Sequence, residues 1–159
     1  MPIRKKLDEV AGRICKAVVP IRKEYFLGQG ESLAICTLSS MDLLEKISSS
    51  EKIMKRIAIV GRLLSENKGI DAMIRFTIEH PNLRQIILCG QEVKGHKAGH
   101  ALLSVWRSGV NANGRIIGMS GPYAALRSSP DAVEKFRMQV SILDMVGTTD
   151  LAAVEKLVA

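Results

Sequence analysis

Aromatic residues are scarce: three Phe, two Tyr and one Trp make up 4 % of the chain. That scarcity argues against nucleic-acid binding by stacking, which needs exposed rings to carry the bases. Cysteine is sparse too, with Cys15, Cys36 and Cys89 in no CxxC spacing. Such usage fits a reducing cytoplasm better than a disulfide framework. No signal peptide opens the chain and no apolar run reaches spanning length, so no membrane insertion is expected. The GxGxxG dinucleotide fingerprint, the GxxxxGK[ST] phosphate loop, the GxSxG elbow and the HExxH zinc pattern are all missing. Internal repeats and low-complexity tracts are absent as well.

What remains is an ordinary globular composition. With 159 residues, 47 % of them hydrophobic and 25 % charged, the chain is long enough for one well-covered core, built from Ile, Leu, Val, Met and Ala. One domain over 1–159 is expected. The formal charge is +7, and much of the excess comes early, from Arg4, Lys5, Lys6, Arg13, Lys16, Arg22 and Lys23. A basic surface attracts nucleic acid, acidic partners or phosphate-bearing cofactors. Here no dense basic run forms, so a solvated face is the simpler reading and no nucleic-acid partner is expected.

Taken in order, residues 4–17 read as an amphipathic helix, with Leu7, Val10, Ala11 and Ile14 on one face. Pro20 closes it, and a turn-rich stretch with Gly28 and Gly30 follows. Apolar runs predict strands at 32–38, 57–60, 85–88, 115–117 and 140–146. Between them, helices are predicted over 41–48, 69–80 and 99–108, a short one from Pro130 with Ser129 as cap, and a last one over 150–159. Near-continuously apolar strands alternating with helices imply an α/β, Rossmann-like fold, with a mostly parallel sheet and helices on both faces.

Chemistry in such a sheet gathers beyond the carboxyl ends of the strands. Three loops are expected there, 61–69, 90–99 and 118–122, each opening on a glycine directly after an apolar run. The second is the richest. His96 and His100 are four residues apart, on one helix face, and would hold a metal if Cys89 or Glu92 completed the set. Histidines at a loop-to-helix junction are more often surface or capping residues. Cys89 near a helix start is a conceivable nucleophile, although a small buried residue at a strand end is the commoner role. A Ser65–His96–Asp144 triad can be composed, with nothing in the spacing to support it. His80, just before Pro81 at a helix end, reads as structural.

The segment Cys89-Gly-Gln-Glu-Val-Lys-Gly-His-Lys-Ala-Gly99 resembles the corrinoid-carrying A subunit of tetrahydromethanopterin S-methyltransferase. In that family a strand is followed by Gly-x-Glu-Val-x-Gly-His-x-x-Gly. Tyr25-Phe-Leu-Gly28 with Glu31-Ser32, Ser65-Glu-Asn-Lys-Gly-Ile70, Pro81-Asn-Leu-Arg84, Gly114-Arg-Ile-Ile-Gly118 and Ala132-Val-Glu-Lys-Phe136 with Gln139-Val140 are similar to it in the same order. The likeness runs from about Val18 to Val146.

The resemblance implies a methyl carrier whose cofactor is a cobamide, a cobalt corrinoid. The methyl group would come from a methylated tetrahydropterin and leave to a thiol acceptor. No activity is expected without a partner, a pterin-dependent methyltransferase. The resemblance makes His96 the lower axial ligand of cobalt. Gly90, Gln91, Glu92, Gly95 and Gly99 would lie along the corrin. Ser65, Glu66 and Asn67, with Gly69, would bond its amide side chains or its nucleotide tail, and Gly118, Gly121 and Pro122 would form another wall. Two departures follow. The family member of methanogens usually continues into a C-terminal membrane anchor, whereas this sequence runs to Ala159 after a short helix; a cytoplasmic relative is expected, and a shortened chain would end the same way. Other cobamide domains carry Asp-x-His-x-x-Gly, and Lys94 stands where that Asp would be; Glu92 or a backbone carbonyl would have to orient His96 instead. The alternative is a Rossmann-like module for another nucleotide or metal, without methyl transfer.

Overall fold

The computed structural model describes residues 24–159, and the helix predicted over 4–17 lies outside them. Five strands, β1 (Tyr25–Leu27), β2 (Leu33–Cys36), β3 (Ile59–Gly61), β4 (Gln85–Leu88) and β5 (Ser141–Asp144), form one sheet in the order β1-β3-β2-β4-β5. β3, β2, β4 and β5 are parallel to their neighbours, and β1 runs antiparallel along the outer edge of β3. Six helices complete the described residues: α1 (Met41–Ser48), α2 (Glu51–Met54), α3 (Lys68–Glu79), α4 (Ala98–Ser108), α5 (Pro130–Gln139) and α6 (Leu151–Val158).

Side chains alternate across the pleat into two cores. Ala34, Cys36, Ile86, Leu88 and Ile142 meet Ile70 and Ile74 of α3, Leu102 and Val105 of α4 and Phe136 of α5 on one face. Ile35, Val60, Ile87 and Cys89 meet Leu43, Leu44 and Ile47 of α1, Ile53 of α2 and Val154 and Val158 of α6 on the other. Both faces are therefore covered, which is why the central strands tolerate no polar side chain. Each fully buried Leu, Ile or Phe contributes about 1.5–3 kcal/mol. Helix boundaries follow local chemistry. Ser129 Oγ accepts from the Ala132 amide with Pro130 in the first turn, Asp150 caps α6, and α3 ends just before Pro81.

Three expectations need correction. Tyr25–Leu27 is a strand, because its backbone pairs with β3 although Tyr25 and Leu27 remain exposed. Residues 51–54, for which no element was predicted, make one helical turn capped by Ser50 Oγ. Residues 115–117 do not join the sheet: they make only isolated antiparallel bridges, Val110 to Ile116 and Arg115 to Ala125. The reason is local. Gly114 and Gly118 flank the run with φ of +78° and +90°, so the chain turns before and after three residues. The 109–126 segment instead folds on itself as a hairpin-like arm between α4 and α5.

Connections leave β2 and β4 in opposite directions. From β2 the chain passes through α1 and α2 to β3 on one side, then returns through α3 to β4 on the other. Beyond the carboxyl ends of β2 and β4 lies the crevice where such sheets bind ligands.

Candidate functional site

The 90–97 loop leaves β4 at this crevice and is bolted down at its start. Gly90 has φ +78°, and a Cβ there would lie 2.0 Å from the Thr37 carbonyl oxygen, so only glycine fits. The Gly90 amide donates to Thr148 O at 2.7 Å, and its carbonyl accepts from the Gly147 amide at 2.7 Å. Ser39 donates to Gln91 O through both its amide (2.9 Å) and its hydroxyl (2.7 Å). Ser40 Oγ accepts from the Gln91 amide at 2.9 Å. Loops after β2, β4 and β5 are thus cross-linked at the sheet edge. Leu38, buried with φ 51°, holds an uncommon backbone conformation in the same corner.

At its far end the loop becomes α4, whose first amides need acceptors. Glu92 reaches forward, its carboxylate accepting from Gly99 N at 2.8 Å and His100 N at 3.1 Å. Glu66, from the loop after β3, accepts from Lys97 N at 2.9 Å. A carboxylate at a helix N-terminus also meets the positive end of the dipole. The other oxygen of Glu66 faces the 118–122 segment: a Cβ on Gly121 would sit 3.6 Å from it. The three predicted loops are brought together around Glu66, though the third arrives from the 109–126 arm and not from a strand end.

His96 stands on the exposed crest between these anchors. Its amide donates to Val93 O at 3.0 Å, and its ring makes no hydrogen bond with any described residue. Glu92, Val93, Gly95, His96, Lys97 and His100 line an open hollow of about 540 Å³ beside it. Gly95 has φ +84° with nothing within 4 Å of a would-be Cβ, so the crest faces open space. Lys94 and Lys97 are exposed on either side.

Several expected roles resolve differently. Glu92 does not orient His96, because both its oxygens serve helix amides that would otherwise be unpaired. Ser65 Oγ accepts from Gly69 N at 2.8 Å and Asn67 Oδ1 from Lys68 N at 2.6 Å, so both cap α3, leaving the Ser65 O–H and Asn67 NH₂ as donors. His80 is structural, with Nδ1 2.7 Å from Phe76 O and its ring stacked on Phe76. Cys89 is fully buried, and burial pushes its thiol up to about 12, which removes it as a nucleophile. Asp144 accepts from the Val146 amide in its own turn. No group of three or more His, Cys, Asp or Glu able to hold a metal ion occurs among the described residues, which overturns the His96–His100 metal set with Cys89 or Glu92. Gly118 and Pro122 are exposed on the arm.

Ser39, Ser40 and Asp71 do not stand out in the sequence. Ser39 and Ser40 carry the signal used for the other loops, lying just beyond a buried strand. Asp71 carries none, since its partners lie 56 and 57 residues away.

Comparison with known proteins shows the family of the chain. The profile of the family described as the A subunit of tetrahydromethanopterin S-methyltransferase matches residues 15–159. Over 136 residues the chain is 38 % identical to the second A subunit (A 2) of tetrahydromethanopterin S-methyltransferase of Methanothermobacter marburgensis, spanning 84 % of the chain and 70 % of that protein. Over 134 residues it is 35 % identical to the A subunit of tetrahydromethanopterin S-methyltransferase of Methanocaldococcus jannaschii, spanning 82 % of the chain and 54 % of the relative. No helix among the described residues is long and apolar enough to cross a membrane.

Proposed function

Because the chain belongs to the A-subunit family of tetrahydromethanopterin S-methyltransferase, a family of methyltransferase subunits, we propose that it is a cobamide-binding methyl carrier with His96 as the lower axial ligand of cobalt. The observation that carries this is the placement of one exposed imidazole, free of hydrogen bonds to the described residues, on a loop braced at both ends over the switch-point crevice. A zinc ion is held by three or four protein ligands. A corrin brings its own equatorial nitrogens and asks the protein for one axial base, and neutral imidazole suits cobalt. The donor set fits that demand.

When bound, the cobamide supplies a cobalt centre that receives a methyl group from a methylated tetrahydropterin and yields it to a thiol. The chain's own work is placement. Gly90 and Gln91 fix where the loop leaves the sheet, and Glu66 and Glu92 fix where it enters α4. The rise of His96 above the edge is set between them. Gly95 and Gly118 keep the approach open, with no atom within 4 Å of a would-be Cβ. The hydroxyl of Ser65 and the amide of Asn67, both in the loop after β3, would serve as donors for the corrinoid's polar periphery. As a member of a family of subunits, the protein would work with partner subunits: a pterin-dependent methyltransferase on the donor side and a thiol acceptor or its enzyme on the other, with no turnover alone. The free, buried Cys36 and Cys89 suit a reducing cytoplasm.

Titrating the purified protein with hydroxocobalamin tests this, reading the visible spectrum and co-elution in gel filtration. Stoichiometric binding with a shifted spectrum is expected. A protein that takes up no cobamide under oxidising or reducing conditions is not a corrinoid carrier.

A further inference from the structure

Asp71 is a buried carboxylate for which the site described so far has no use. It sits in the first turn of α3, 8 % exposed, in the helix that begins directly after the Ser65–Asn67 loop. Its two oxygens take three donors from the base of the 109–126 arm: Arg127 N at 3.0 Å, Ser128 N at 2.9 Å and Ser128 Oγ at 2.6 Å. Burying a carboxylate is unfavourable unless such bonds compensate. A neutral side chain would join two helices with less desolvation, so the carboxylate makes sense where several donors must be gripped at once.

What is gripped is a stiff body. Leu126 N donates to Gly114 O (2.8 Å), Ile116 N to Ala124 O (2.9 Å), Ile117 N to Gly109 O (3.1 Å) and Arg115 Nη2 to Gly121 O (2.7 Å). The tip of the arm is therefore tied to its base, and holding Arg127 and Ser128 holds Gly121 against Glu66. Glu66 in turn bonds the amide of Lys97, the residue between His96 and the start of α4.

We propose that Asp71 is a positioning residue for the cobamide site, holding the 109–126 arm so that Gly118–Pro122 forms the wall facing the His96 loop. This rests on the cobamide reading above. Asp71 touches no ligand and acts through the arm.

The test compares wild type with Asp71→Ala, Asp71→Asn and Ser128→Ala, each shown folded by circular dichroism. Hydrogen exchange of the Arg127 and Ser128 amides reports the grip, and hydroxocobalamin titration reports its consequence. Asp71→Ala should lose the protection and bind about tenfold more weakly. Asp71→Asn, which keeps one acceptor oxygen, should fall between. The His96-dependent spectrum of the bound form should stay unchanged, because the axial ligand is untouched. A merely structural Asp71 would lower the unfolding midpoint and leave affinity where it was. Lost protection with unchanged affinity overturns the proposal and leaves the cobamide reading standing. If Asp71→Ala does not fold, Asp71→Asn and Ser128→Ala decide: unprotected amides with weakened binding support the role, and unchanged binding overturns it. A wild type that binds no hydroxocobalamin sinks the cobamide reading and this role with it.

Discussion

Removing the Glu92 carboxylate should loosen the start of α4 before it does anything to the imidazole chemistry. Two amides depend on it, Gly99 N at 2.8 Å and His100 N at 3.1 Å. Losing a side-chain cap costs about 0.5–2 kcal/mol. Losing a negative charge from a helix N-terminus costs about 0.3–1 kcal/mol more. The side chain is half-buried, so water reaches the freed amides in part, and Glu92→Ala should cost about 2 kcal/mol in all. Glu92→Gln keeps one acceptor without the charge and should cost about 1 kcal/mol. Urea unfolding followed by the fluorescence of Trp106, the chain's one tryptophan, measures both. With an m-value of about 2 kcal/mol/M, the alanine variant should shift the midpoint by about 1 M, with m unchanged. Were Glu92 instead the orienting partner of His96, Glu92→Gln would leave the midpoint in place and alter cobamide binding. That outcome would refute the capping role.

Gly90→Ala should be costly, because it combines left-handed strain of about 1–2 kcal/mol with a clash against the Thr37 carbonyl that dislodges the bonds to Thr148 and Gly147, about 3 kcal/mol or more together. Gly95→Ala meets only the strain and should cost about 1 kcal/mol; equal unfolding midpoints for the two would contradict the packing described. Cys36 and Cys89, both pushed up from 9.0 to about 12 by burial, should resist iodoacetamide at pH 8 until urea unfolds the chain. The same shift sets a pH dependence: the buried thiols stay neutral while those of the unfolded chain ionise. Their contribution is full below pH 9 and declines as pH rises toward 12, and a flat unfolding free energy from pH 8 to 10.5 would argue against it.

Sequence patterning revealed the parts whose signals are local. Apolar runs flanked by glycine marked β2, β3 and β4, and Pro81 and Ser129-Pro130 marked helix ends, because burial on both faces and capping act through neighbouring residues. β1 was invisible, since Tyr25 and Leu27 are exposed and become a strand only by pairing with β3. The Ile116-Ile117 pair within 115–117 misled for the converse reason, its flanking glycines turning the chain away from the sheet. At the site, the loop carrying His96 was legible from its glycines and its family likeness. The bonds by which its carboxylates hold it were not legible: Glu92 acts seven residues ahead on Gly99, outside capping-box spacing, and Glu66 acts 31 residues ahead on Lys97. Such long-range caps leave no periodic trace.

The central claim is that one imidazole, that of His96, ligates cobalt. The direct measurement is the visible spectrum of methylcobalamin and hydroxocobalamin bound to His96→Ala, beside wild type and His100→Ala. His96 on the crest should be indispensable to the protein-ligated spectrum, and His100, whose amide is held by Glu92 in the first turn of α4, should be dispensable. A His96→Ala protein that binds both corrinoids with the wild-type spectrum contradicts the assignment.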